Sequence, residues 1–462
     1  MKGTAYHLVG VGGIGMSAIA RLLLARGAQV SGSDVQRTPL IDALEAEGVR
    51  VTIGHREENV GDAAVVVVSS AIAHENAEFV DAIERKLDVV TRGAMLAELA
   101  KGHKVVAVAG THGKTTTTAM LASIFEAAGL DPTVAVGGIR VDTGTNARVG
   151  NGTWFVTESD ESDGSFLYLN PTIAVVTNIE NDHVASDADL PRLLEQFTVF
   201  ANKVPAHGKV VVGNDNRASK AVGRQAQAPV STFATRDPDA DLTATDVRYA
   251  DLGARFTVFD RGDVLGEIEL HVPGEINVQN ALAAIGAARA VGIRFDDIAP
   301  ALAAFRGVQR RFEVVGRGAL TVVDDYAHHP TAIAQTIAAA RNFAHDGPLI
   351  VAFQPHRYTR TQYLKDEFAT ALAGADHVYL TPVYAASEKP IDGVSERLIG
   401  DPLAASGTPV TYVTDVEDLL ETIPREAPEG ALILMLGAGS ITTVAHRLGE
   451  RISRIAAPLM SP

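Results

Sequence analysis

Short runs of small or β-branched apolar residues alternate with helix-period stretches along most of the chain. Each such run reads as a strand buried on both faces. Ala5–Val9 predicts a strand, Gly10–Gly15 a tight turn, and Met16–Arg26 a helix ended by Gly27. Ala28–Gly32 predicts a second strand ending near Asp34, and Ala63–Val68 a buried strand that stops at Ser69-Ser70-Ala71-Ile72. Val105–Ala109 is another, opening through Gly110–Thr117 into a helical pattern that runs to about Ala128. Strands at Thr153–Thr157 and Ile173–Thr177 end in Glu158-Ser159-Asp160-Glu161-Ser162-Asp163 and Asn178-Ile179-Glu180-Asn181-Asp182-His183. Polar and apolar residues alternate over about 243–271, as in an antiparallel hairpin. Pro273–Asn280 then leads into an Ala-rich helix. From Arg310-Arg311-Phe312 the alternation restarts, with strands expected at Leu320–Val323, Leu349–Phe353, Val378–Leu380, Val410–Val413 and Leu432–Leu436. Gly437-Ala438-Gly439-Ser440 opens a final helix and is expected only to pack it closely.

Strand–helix alternation of this kind makes α/β sheets. A chain of 462 residues is too long for one ordinary core. The breaks in pattern divide it into residues 1–103, 104–313 and 314–462.

Three places along this pattern suggest chemistry. The first βαβ unit has Gly10-x-Gly12-x-x-Gly15 at the strand–helix turn and Asp34 about 20 positions on, the layout of a dinucleotide fingerprint. Two readings stay open: NAD(P), or another nucleotide's diphosphate on a related fold. Asp34 reads equally as a surface turn residue. The second place is Gly110-Thr111-His112-Gly113-Lys114-Thr115-Thr116, the shorter Gly-x-x-Gly-Lys-Thr form of a P-loop, because Val108 stands where the longer pattern has glycine. Glycines let backbone N–H groups close on a polyphosphate, and the helix N-terminus favours its charge. Lys114 can reach terminal phosphates and the Thr115 hydroxyl can ligate Mg²⁺, so the stretch points to an ATP site. Glu158 directly follows a buried strand beside this loop, where a metal or water ligand is needed. The third place comprises Asp324–Pro330 and Gln354–Thr361, where basic, aromatic and imidazole groups at strand ends suit carboxylate and phosphate recognition.

Composition narrows the classes. The chain is 46% hydrophobic and 21% charged with a formal net charge of −16, which argues against non-specific nucleic-acid binding and against an anionic membrane surface. With no cysteine, disulfides, thiolate catalysis and Cys-ligated zinc are excluded. No apolar run approaches a membrane span and no signal-peptide layout is seen, so a cytoplasmic protein is expected.

Taken together, Gly10–Ser17, Ser69–Ile72, Gly110–Thr117, Glu158–Phe166, Thr177–His183, Pro273–Asn280, Arg310–Glu313, Asp324–Pro330 and Gln354–Thr361 resemble the Mur ligase family, in colinear order over essentially the whole chain. The resemblance implies an α/β protein of three domains. These are an N-terminal Rossmann-like domain, a central P-loop ATPase-like domain with added antiparallel strands, and a C-terminal Rossmann-like α/β domain. It also implies an ATP-dependent amino-acid ligase of peptidoglycan synthesis that uses Mg²⁺, two ions, and acts as a monomer or weak homodimer. The domains would hold, in order, the UDP part of UDP-N-acetylmuramate, ATP, and incoming L-alanine. Gly12, Gly13, Ile14, Gly15, Met16, Ser17, Asp34, His55, Ser69 and Ser70 would meet the uridine diphosphate. Lys114 would sit on the phosphates, and Thr115, Glu158 and His183 on Mg²⁺. Asn280 would lie near the nucleotide, and Arg311 would add a phosphate or transition-state contact. Tyr326, His328, His356, Arg357 and Arg360 would form the alanine pocket, with His328 able to accept a proton from the amine. Two departures from the family pattern stand out: Ile276 replaces the usual histidine of Pro-Gly-x-His-Asn, and no lysine suggests itself as a carbamylated metal ligand. A murein-peptide recycling ligase is the rival within the family. A P-loop hydrolase would leave the third domain unexplained, and a dehydrogenase would leave Lys114 and Glu158 idle.

Overall fold

The computed structural model describes residues 1–161, 163–180, 190–344, 347–386 and 388–456. His183 and Asp182 lie outside these. Three sheets follow one another along the chain. The first comprises β1 (Ala5–Val9), β2 (Gln29–Asp34), β3 (Arg50–Ile53), β4 (Val65–Val68) and β5 (Asp88–Thr91), all parallel in the order β3-β2-β1-β4-β5. Strand order reverses between β1 and β4, which opens a crevice at their C-terminal ends. The turn after β1 is shorter than the glycine pattern suggests, because the helix already starts at Ile14 with Gly13 as its N-cap. The N–H groups of its first turn therefore point into that crevice.

The second sheet holds β6 (Lys104–Ala109), β7 (Thr133–Ala135), β8 (Ala147–Arg148), β9 (Trp154–Glu158), β10 (Ile173–Val176), β11 (Lys209–Gly213), β12 (Val230–Ala234), β13 (Leu242–Ala250), β14 (Gly253–Asp260) and β15 (Asp263–Leu270). Its order is β15-β14-β13-β12-β11-β10-β6-β9-β7-β8. β6 runs parallel between β9 and β10, so the P-loop and both acidic strand ends leave the sheet at one edge. The expected hairpin over 243–271 is instead a three-stranded meander. Its two turns use Asp251, Arg261 and Gly262 at positive φ, and the Asp-Arg-Gly-Asp turn is the cue that an undivided alternation hides.

The third sheet holds β16 (Glu313–Arg317), β17 (Thr321–Asp325), β18 (Leu349–Phe353), β19 (His377–Leu380), β20 (Val410–Tyr412) and β21 (Leu432–Leu436), ordered β16-β17-β21-β18-β19-β20. β16, which the apolar pattern did not suggest, is an antiparallel edge strand joined to β17 by a short turn. It begins at Glu313, one residue ahead of the expected start of the third unit.

The helix Lys114–Ala127 is buried on nearly every side, held between the second sheet and the Ala-rich helix Glu275–Val291. Alanines let the two helices approach closely, and an added Cβ on Gly286 would meet Val211 at 2.9 Å. One apolar cluster runs from Met16, Leu22 and Leu99 of the first unit to Phe155, Phe166 and Phe197 of the second, so these two units share a core. Among the described residues no helix is long and apolar enough to cross a membrane.

Candidate active site

The P-loop is held open by its glycines and braced from β10. Gly110 and Gly113 have φ of +132° and +82°, a region side chains rarely adopt. The Thr111 and His112 N–H groups donate to Asn178 at 2.9 Å each, and the Thr177 hydroxyl donates to the His112 carbonyl at 2.6 Å. Asn280, expected beside the nucleotide, lies behind the loop. Its amide oxygen fills the space a Gly113 Cβ would need and accepts from the Thr117 hydroxyl at 3.3 Å. Thr116 is buried in the first turn of the helix. Lys114 Nζ donates to the Gly110 carbonyl at 2.6 Å and to Glu161 Oε2 at 2.7 Å. Burial alone would lower the lysine's pKa, but Glu161, Asp160 and Glu158 outweigh it and raise it, so the amine stays charged.

Glu158 is the last residue of β9 and accepts from the Thr115 hydroxyl at 2.8 Å. Burial pushes its carboxyl up, opposed by Thr115, Lys114 and Arg311. Gly137 makes room for it, because a Cβ there would stand 1.3 Å from Glu158 Oε1. A hydroxyl and a buried carboxylate needing more positive charge fit a hard, oxygen-seeking cation such as Mg²⁺. His183 adds nothing to this test, since it lies outside the described residues.

Arg311 connects this site to the third unit. Its guanidinium rests 5.1 Å from the centre of the Tyr326 ring, and its charge acts on both Glu158 and Asp325. Arg310 lies against the same ring at 4.8 Å. Asp325 accepts the Phe312 and Ala327 N–H groups at 2.7 Å each and so ties the linker to the end of β17. Beside it, His328 packs edge-on to Tyr326 at 4.8 Å and to His356 at 5.8 Å, and His356 stacks on Tyr384 at 5.6 Å. His328 Nδ1 lies 2.8 Å from the Tyr326 carbonyl. Arg360 is buried in the helix Tyr358–Tyr363, whereas Arg357 is its exposed N-cap at φ +73°. Burial first, then Arg360 and Arg357, lower the His356 pKa to about 4. A neutral imidazole beside two guanidinium groups makes this strand end electropositive, which suits a carboxylate.

In the first unit the Gly12 N–H donates to Asp34 Oδ2 at 2.9 Å and the Val35 N–H to Asp34 Oδ1 at 2.8 Å. Asp34 therefore holds the glycine turn in shape. Gly13 is exposed and Ile14 and Gly15 are partly so, while Ser69 and Ser70 form a partly exposed turn next to Gly10 through Ile72. The Met16 side chain is buried in the core, and the buried Ser17 hydroxyl donates to the Ile14 carbonyl at 2.9 Å. His55 Nδ1 sits 3.0 Å from the Ser33 hydroxyl and 3.2 Å from Glu78.

Family models match the chain in this same order. "Mur ligase family, catalytic domain" matches residues 5–104, "Mur ligase middle domain" 108–288, and "Mur ligase, glutamate ligase domain" 310–439. The chain belongs to the Mur ligase family. A curated UDP-N-acetylmuramate–L-alanine ligase of Acidithiobacillus ferrooxidans is 47% identical over 95% of this chain and 96% of its own length. One from Geotalea uraniireducens is 44% identical over 96% and 97%. The crystal structure of UDP-N-acetylmuramate–alanine ligase from Thermotoga maritima superposes with a TM-score of 0.84 at 30% identity, covering 97% of this chain and 98% of that one. A murein peptide ligase from Psychrobacter arcticus gives 0.74 at 27% identity, covering 98% and 99%. As a member of this family the chain uses ATP.

Sequence reasoning about this Mur ligase passed over several groups. Glu161, among the acidic residues after β9, is 5% exposed and paired with Lys114. Asn146 reaches from the second unit to the Ile14 carbonyl at 2.7 Å and the Ser17 hydroxyl at 3.0 Å, and Arg92 of the first unit reaches Asp163 at 3.0 Å. These are contacts between units, and no local spacing announces them. Glu78 too has no distinguishing signal, because Asp81 and Glu84 recur along the same short helix.

Proposed function

We propose that the protein joins L-alanine to the carboxylate of UDP-N-acetylmuramate, using ATP, through an acyl phosphate, with ADP and phosphate as products, in peptidoglycan precursor synthesis. The observation that supports this most directly is the 47% identity to a ligase of that name over 95% of the chain. The units 1–103, 104–313 and 314–462 take the uridine nucleotide, ATP and alanine in turn. The reaction is cytoplasmic, carried out by a monomer or weak homodimer.

A carboxylate does not condense with an amine in water until one oxygen becomes a good leaving group. Gly110–Thr116 cradle the ATP phosphates, and Lys114 and Arg311 neutralise the charge that the moving γ-phosphoryl group carries. Thr115, Glu158 and His183 would hold Mg²⁺, two ions, which would supply further charge neutralisation when bound. Gly12, Gly13, Ile14, Gly15, the Met16 backbone, His55, Ser69 and Ser70 bind the uridine diphosphate, with Asp34 fixing their turn. Arg360 and Arg357 hold the alanine carboxylate, and the rings of Tyr326, His328 and His356 wall its methyl group. The neutral amine attacks the acyl carbon, phosphate leaves with the C–O electron pair, and His328 takes the proton.

The rival is ligation of a whole murein peptide, as in the Psychrobacter arcticus neighbour. The close ring contacts at His328, His356 and Tyr384 favour a small amino acid. The deciding assay is phosphate release from ATP with UDP-N-acetylmuramate, tested against single amino acids and against a murein tripeptide. Release with L-alanine alone is expected. Release with the tripeptide and none with alanine would reverse the assignment.

A further inference from the structure

Three side chains meet where the third unit touches the P-loop. His112 belongs to the loop itself, Glu180 to the segment after β10, and His329 precedes the helix Pro330–Ala344. One donor atom from each lies within 4.8 Å of the other two. His112 Nε2 and Glu180 Oε2 are 3.2 Å apart, and the two imidazole centres 5.5 Å apart. His329 is buried and the other two are partly so.

We infer that His112, Glu180 and His329 form a site for a borderline divalent cation of the Zn²⁺ class, which on binding clamps the third unit to the P-loop. Two imidazoles and one carboxylate are donors for Zn²⁺, Co²⁺ or Ni²⁺, whereas Mg²⁺ prefers oxygen. Metal–nitrogen bonds of about 2.0–2.1 Å put tetrahedral donors roughly 3.3 Å apart. The His112–Glu180 pair already has that spacing, and a His329 ring nitrogen lies within 4.8 Å of both donor atoms. The fourth position stays open to water or an anionic oxygen. This set is separate from Thr115 and Glu158, which offer oxygen alone.

A second trio, Glu313, Asp324 and His446, has comparable spacing. There Asp324 faces Arg310 at 4.0 Å and a His446 whose pKa its hydrogen bond raises. The Arg310 guanidinium already meets the Asp324 charge, which makes that trio the weaker candidate. No such guanidinium stands by Glu180 in its described contacts.

A clamp between units opposes the opening that releases product, so Zn²⁺ should inhibit turnover. Metal binding itself is the cleaner readout, and it can fail while ligation stands. The full chain is titrated with Co²⁺ in excess Mg²⁺, and the visible d–d absorption is followed for the parent and for Glu158→Gln, Glu180→Gln and His329→Gln, with circular dichroism to check folding. The expected result is one tetrahedral-type Co²⁺ per chain, displaced by Zn²⁺, retained in Glu158→Gln and lost in both other variants. Absence of the band in the parent, its loss in Glu158→Gln, or its survival in folded Glu180→Gln or His329→Gln would overturn the proposal.

Discussion

Replacing Glu78 by glutamine tests how the first unit holds its crevice. Glu78 lies on the helix Ala77–Glu84 with no exposed side-chain surface. It accepts from the Ser33 hydroxyl at 2.5 Å, from Asn59 Nδ2 at 2.5 Å and from the Arg56 N–H at 3.3 Å. His55 Nδ1 is 3.2 Å away and His7 Nε2 3.5 Å. Burial alone would raise this carboxyl, but His7, Ser33 and Asn59 hold it down from 4.5 to about 2. That depression corresponds to about 3 kcal/mol of stability, and full burial leaves little for solvent to screen. Because the folded-state pKa is the lower one, the contribution is complete above about pH 4.5 and is lost as pH falls toward 2.

Glu78→Gln mimics the protonated acid and turns an acceptor oxygen into an amide donor facing Asn59 and Ser33. The expected cost is about 3 kcal/mol near pH 7, shrinking by about 1 kcal/mol by pH 3.5 as the unfolded parent binds the proton that the folded one still excludes. A chain of several units need not unfold in one step, so hydrogen exchange on the β1, β2 and β4 amides is the assay that reports this sheet alone. A variant within about 0.5 kcal/mol of the parent at neutral pH, the range of an ordinary surface change, would refute the reasoning. So would a deficit that stays constant down to pH 3.5, because the carboxylate charge would then not be its source.

Lys114→Ala should abolish ATP-dependent phosphate release. It should also cost about 3 kcal/mol by stranding the buried Glu161, and adding Glu161→Gln should restore thermal stability without activity. Arg360→Lys keeps charge but loses the planar fork, so kcat/KM for alanine should fall about ten- to a hundredfold while the KM for ATP holds; a change confined to ATP would remove Arg360 from the carboxylate clamp. Gly137→Ala places a methyl where Glu158 Oε1 now lies, so turnover should fall on the order of a hundredfold and the Mg²⁺ requirement should rise, with normal kinetics counting against Glu158 as a ligand.

What could be read in advance follows from what is local. Buried parallel strands write themselves as unbroken apolar runs, so Ala5–Val9, Leu349–Phe353 and Leu432–Leu436 match β1, β18 and β21 residue for residue. A phosphate cradle needs glycine and lysine at fixed spacing on one turn, so it too shows in a single stretch. β16 escaped because Glu-Val-Val-Gly-Arg is short and pairs on one side only. Asn280, placed near the nucleotide by the family resemblance, packs against Gly113 of the P-loop, a contact that sequence spacing alone does not show. Arg357 and Arg360 show the same limit: three residues apart, they differ in exposure because one caps the helix and the other turns into the fold.

The Lys114–Glu161 pair carries this limit into function. A P-loop lysine is read as a free charge awaiting phosphate, yet here it already has a carboxylate and a carbonyl as partners. Leaving either ion of a buried pair unpartnered costs several kcal/mol, so a lysine with no counter-ion would be poorly held before ATP arrives. Glu161 keeps the amine charged and extended across the loop, and the polyphosphate competes for an ammonium that is already in place. The neighbouring Asp160 and Glu158 also raise the lysine's pKa, so no proton has to be gained when the phosphates bind. Under the proposed function the acidic strand end would have two tasks within four residues: Glu161 readying the lysine, and Glu158 with Thr115 offering oxygens to Mg²⁺.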